Sequence, residues 1–175
     1  MTHHPGDSDD LELRLDQAGA LAALLQRVGY ALWQIAECED TVAHYVVLRL
    51  HATRGMGEQA GMALLASAQG RTFGNLLSEL RNRGVLEGDL EARIAQLVED
   101  RNWLVHRAKR ENRGILNDSA AYDALVERLT ALADEATDLH TIMASRLEAF
   151  AIEAGVDPTQ IDREAAALRK AWGYE

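Results

Sequence analysis

Three side chains with complementary chemistry stand close together at Arg101, Asn102 and His106. An imidazole exchanges protons near neutral pH, its reference pKa being about 6.5. A guanidinium pairs with carboxylate or phosphate through fixed, forked donors. Asn102 and His106 are four residues apart and share a helix face, whereas five steps of about 100° set Arg101 and His106 roughly 140° apart on a regular helix. Either the helix deforms near Trp103 or a site built from both collects its groups from two copies of the chain. Arg101 also interrupts an apolar stripe of Ile94, Leu97, Leu104 and Ala108, where an arginine needs a partner or must snorkel to the edge. A lone histidine such as His106 is otherwise an ordinary surface residue.

Glu39 is the second misfit. It lies among Leu32, Ile35, Val42, Val46 and Leu50, so a carboxylate faces the expected core, where burial without a partner is costly. Arg101 is the natural counter-charge if the two helices pack, as a structural pair or as a support that orients the arginine. On the opposite face of the same helix fall Glu37, Asp40, His44 and His51, residue types that ligate metals. One helix rarely supplies a whole site and no matching Glu-x-x-His pair occurs elsewhere, so a solvated polar face is the expectation and no metal is assigned. Arg107, Lys109, Arg110 and Arg113 follow the Arg101 segment, opposed locally only by Glu111. Trp33, Trp103 and Trp172 read as packing or interface anchors, because no aromatic pair is interleaved with those cations. His3 and His4 lie in the polar start of the chain and carry no weight.

These residues need helices to position them. Leu11 to Arg27 and Tyr30 to about Arg54 repeat apolar residues at helical spacing, with Gly29 a possible bend in one longer helix. Thr72 is an expected N-cap for a short helix through Leu80 that Gly84 ends. From about Glu87 a longer helix carries the Arg101–His106 segment in its second half and fades near Gly114. Asp118 or Ser119 should cap the most regular element, which runs to Gly155, and Pro158 opens a short amphipathic helix bearing Ile161, Ala165, Leu168 and Trp172. The expected architecture is all-α, an up-and-down bundle of four to five helices. Residues 1–10 are expected to be a disordered tail, 11–155 the helical domain, and 156–175 a C-terminal helix packing on the bundle or on a dimer mate.

Composition bounds the function. At 175 residues with 47% apolar content the chain can bury a core as one domain. Cys38 is the only cysteine, which excludes an internal disulfide or a thiolate cluster and suits a reducing compartment. The start of the chain has no apolar signal region and no stretch reaches a membrane span, so the expected location is the cytoplasm, away from membranes. A net charge of −10 opposes broad adhesion to nucleic acid, so any RNA contact must be local.

The run Arg101-Asn102-Trp103-Leu104-Val105-His106, on a late helix of an all-α chain, resembles the R-x4-6-H motif of the HEPN superfamily. Four residues separate the arginine from the histidine and a polar residue follows the arginine, as in that family. The resemblance extends over Tyr30 to Phe150 and implies an HEPN-like bundle, a homodimer and a metal-independent endoribonuclease without cofactor. By that resemblance His106 is the general acid or base, Arg101 holds the phosphate, Asn102 orients phosphate or histidine, and Arg107, Lys109 and Arg110 contact RNA. The family also implies a toxin or phage-defence setting with an antitoxin protein as partner. Some members carry a tyrosine two residues after the histidine that a nucleotidyltransferase modifies; here that position is Ala108. Two other readings stand beside this one: a non-catalytic HEPN-like dimerisation or partner-binding module, and a helical bundle with no nucleic-acid role.

Overall fold

The computed structural model describes residues 5–173. Among the described residues seven α-helices follow one another: α1 Pro5–Val46, α2 Glu58–Gln69, α3 Phe73–Asn82, α4 Gly88–His106, α5 Ala108–Glu111, α6 Ser119–Glu153 and α7 Pro158–Ala171. The two apolar runs at the start of the sequence form one helix of 42 residues. The helix continues unbroken through Gly29. The expected tail is divided: residues 1–4 lie outside the described residues, and from Pro5 the chain is helical. α1 ends in a π turn, Val47–His51, in place of the straight continuation to Arg54.

Local chemistry explains the other boundaries. The Thr72 hydroxyl accepts from the Asn75 N–H at 3.3 Å, and the Asp118 carboxylate accepts from the Ala121 N–H at 3.0 Å; both satisfy donors that a helix start leaves orphaned. Asp157 caps α7 ahead of Pro158, whose fixed φ suits a first turn. Gly114 reverses the chain between α5 and α6 at φ +80°, a left-handed conformation that a side chain would strain.

Cross-links give the directions. Gln17 meets Asn117, Arg27 meets Thr130 and Gln34 meets Thr137, so α1 and α6 run parallel. Glu87 meets Arg146, Arg93 meets Glu135 and Asp138, and Asp100 meets Arg128, so α4 runs against α6. The short α2 and α3 fold over the upper end of α1, with Gln69 reaching Asp40 and His51 reaching Glu79. Ile35, Val42, Leu76, Leu80, Ile94, Leu97, Leu129, Leu139 and Met143 meet in the centre and are almost fully buried. Each contributes roughly 1.5–3 kcal/mol by leaving water.

α7 follows this pattern only at its caps. It is amphipathic, yet none of its residues is buried, and Trp172 beyond its end is 73% exposed.

Candidate active site

Arg101, Asn102 and His106 occupy the last turns of α4, which stays α-helical up to His106. The break comes one residue later, where Arg107 adopts φ −122° and ψ −35° and donates its N–H to the Trp103 carbonyl at 2.8 Å. No deformation near Trp103 swings the arginine toward the histidine. Within one chain the two side chains diverge around a regular helix.

The helix end is braced from α6. Trp103 is buried, its indole N–H donates to the Glu111 carboxylate at 2.7 Å, and the Arg128 guanidinium lies 3.3 Å from its ring centroid. Arg128 also pairs with Asp100 at 3.0 Å. This clamp fixes the turn on both sides of Asn102. Pattern reading could place Trp103 as an anchor, but Arg128 comes from another helix and left no local signal.

Arg101 is half-buried, and among the described residues its side chain reaches only the neighbouring Asn102 carboxamide, at 3.4 Å. His106, Arg107, Lys109, Arg110 and Arg113 are exposed. Among the described residues no ion pair or hydrogen bond engages any of these five side chains, whereas Arg71, Arg81, Arg93, Arg128 and Arg146 each hold a carboxylate. Glu111, the one acid within the basic run, is turned away to Trp103. The chain is acidic overall, with 28 Asp and Glu against 18 Lys and Arg, and here four cations, Arg107, Lys109, Arg110 and Arg113, pair with no carboxylate among the described residues.

Glu39 is half-buried where α1, α3 and α4 approach one another. Desolvation by burial pushes its carboxyl above the ordinary value of 4.5, while the Arg101 charge and the Phe73 main-chain N–H at the start of α3 pull it back. The expected ion pair is not formed: Glu39 has no salt bridge within 4 Å among the described residues, and Arg101 acts on it through space. Helix phase put both residues on facing stripes, as read; side-chain direction carried Arg101 toward Asn102 instead.

The polar face of α1 separates into unrelated contacts. His44 Nδ1 lies 2.8 Å from the Asp40 carbonyl of its own helix, and His51 Nε2 lies 2.8 Å from Glu79, which Arg71 also holds. No group of three or more His, Cys, Asp or Glu is placed to hold a metal among the described residues. The Glu79 carboxyl, salt-bridged on both sides, stays below its ordinary range. Sequence pattern missed this three-residue network because its members come from the π turn, the turn between α2 and α3, and α3 itself.

Beside the motif runs an apolar groove of about 400 Å³ between α1, α4, α5 and α6, lined by Leu21, Leu25, Leu104, Ala108 and Ile115 with Lys109 at its rim. No helix of the described residues is long and apolar enough to cross a membrane. Comparison of the chain with protein-family models, with curated proteins and with solved structures finds no match.

Proposed function

We propose that this chain is a metal-independent endoribonuclease of HEPN type. The observation that carries the reading is the exposed end of α4, where Arg101, Asn102 and His106 are followed by Arg107, Lys109, Arg110 and Arg113, whose side chains have no partner among the described residues, on a chain whose net charge is negative. A phosphodiester backbone is the polyanion that such a local patch attracts.

In this reading the 2′-hydroxyl of RNA attacks the adjacent phosphorus, and the 5′-oxygen of the next nucleotide leaves. The products are a 2′,3′-cyclic phosphate and a 5′-hydroxyl end. One His106 imidazole takes the hydroxyl proton or supplies one to the leaving oxygen. Arg101 stabilises the charge gathering on the non-bridging oxygens, and Asn102 holds the phosphate in place. Because Arg101 and His106 diverge within one chain, a homodimer completes the site. A toxin or phage-defence role with an antitoxin as partner belongs to this proposal. The same divergence favours the second reading, a non-catalytic dimerisation module, if the dimer leaves the two side chains apart.

Purified protein in excess EDTA should cut single-stranded RNA and leave DNA of the same sequence intact, since DNA lacks the attacking hydroxyl. His106→Ala should lower the rate by at least about 10²-fold, the lower end of what acid-base catalysis contributes. Undiminished cutting by folded His106→Ala protein, or cutting only with added divalent metal, would overturn the mechanism.

A further inference from the structure

The groove beside the motif has an apolar body and a polar rim. Leu24, Leu125 and Leu129 are buried at its floor, while Leu21 and Leu25 of α1 rise to its edge, 43% and 60% exposed. Leu104 of α4 and Ala108 of α5 complete the lining. Four helices therefore contribute, and the groove is a concave cleft rather than the flank of one helix. Every lining residue is apolar except Lys109 and Asn112. At about 400 Å³ it has the size of a small-molecule site, which is mostly apolar with a few convergent polar groups.

The two polar residues keep donors unused. Among the described residues no carboxylate lies within 4 Å of the Lys109 ammonium. Glu111, two residues on, is held by the Trp103 indole at 2.7 Å. The Asn112 carboxamide gives one N–H to the Ala108 carbonyl at 2.7 Å and has a second to give, since a primary amide carries two. Arg107, Arg110 and Arg113 flank Lys109 in the sequence. A chain of net charge −10 repels an anion from most of its surface and draws it to this rim. The ligand that complements the cleft is therefore apolar in body and negative at one end.

We propose that the cleft binds a free fatty carboxylate, its tail along the leucine floor and its head group on the Lys109 ammonium and the second Asn112 N–H. The length of the tail follows from the volume. A methylene takes about the room of a water, about 30 Å³, so about 400 Å³ holds a chain of roughly a dozen carbons. The carboxylate accepts from both rim donors, and its bond to Lys109 is charge-assisted. A polyanion would use the cations and leave the leucine floor empty, whereas an amphipathic monoanion uses both.

This site goes beyond the nuclease reading and does not rest on it, since it uses neither Arg101 nor His106 and needs no second copy of the chain. Calorimetric titration of the full chain with dodecanoate, kept below its micellar concentration, tests it. One molecule per chain should bind, at least ten-fold more tightly than dodecyltrimethylammonium, which has the same tail and the charge that a chain of net charge −10 otherwise favours. Octanoate, four methylenes shorter, should bind at least ten-fold more weakly than dodecanoate, because each buried methylene is worth about four-fold in affinity.

Lys109 and Leu25 are exposed, so Lys109→Gln and Leu25→Asn should keep the circular dichroism of the parent. Lys109→Gln should weaken dodecanoate about five-fold, the size of an ion pair at a partly exposed rim. Leu25→Asn should weaken it by a similar factor through lost apolar contact. Arg83→Gln, which removes an exposed cation at the end of α3, should leave the affinity unchanged. Binding of the ammonium probe as tight as that of dodecanoate, equal binding of octanoate and dodecanoate, or undiminished affinity in Lys109→Gln would each overturn the proposal. Sedimentation of the chain with phosphatidylglycerol vesicles in place of saturable dodecanoate binding would overturn it too, in favour of a membrane surface. None of these readouts involves RNA. A chain that binds dodecanoate and cuts no RNA refutes the nuclease reading alone, and one that cuts RNA without binding dodecanoate refutes this site alone.

Discussion

The Arg101 guanidinium lies in reach of Asn102 and in the field of Glu39, yet pairs with no acid among the described residues. Its misfit in the apolar stripe was legible from spacing, and so was that of Glu39. What spacing could not supply was the direction of each long side chain, and the expected ion pair is lost for that reason. Glu39 also yields a signed prediction. A carboxyl raised in the folded state binds its proton more tightly there than in the unfolded chain, so stability falls as pH rises from 4.5 through the raised value. Glu39→Gln removes that dependence. At neutral pH the variant should be at least as stable as the parent, by less than about 1 kcal/mol because the group is only half-buried and solvent screens it. Urea titrations at pH 4 and pH 7 check this; a variant clearly weaker at pH 7 would show that the Arg101 attraction outweighs desolvation.

At the scale of elements the caps were the most readable features, since each is a local bargain between a side chain and an orphaned N–H. Thr72, Asp118 and Pro158 stand where spacing put them. Asp118→Ala should cost about 1 kcal/mol, read as a lower denaturation midpoint with an unchanged slope. An unchanged midpoint would mean that tertiary packing alone holds the start of α6. The π turn at Val47–His51 and the break at Arg107 were not legible. The first accompanies a contact from His51 to Glu79 on α3, and the second follows a tryptophan clamped by α6. Both depend on partners distant in sequence. α7 was readable as a helix, expected to pack on the bundle or on a dimer mate; within one chain none of its residues is buried, and Ile161 and Ala165 are half-buried.

The molecule as a whole combines two long parallel helices, α1 and α6, with α4 running back along them. This architecture puts the motif at an exposed end and leaves the outer face of α1 open. All-α character followed from composition and periodicity, because a helix writes its buried face into every third and fourth residue. The pairing of faces across the bundle did not, since two apolar stripes look alike whether they meet within one chain or between two. In the proposed composite site Arg101 of one copy works with His106 of the other. Mixing Arg101→Ala protein with His106→Ala protein after subunit exchange tests it. Each variant alone should be inactive, and an equal mixture should recover about one quarter of the parental RNA-cutting rate, since half of the dimers then hold one intact site of two. A mixture that exchanges subunits fully and stays inactive would contradict the claim.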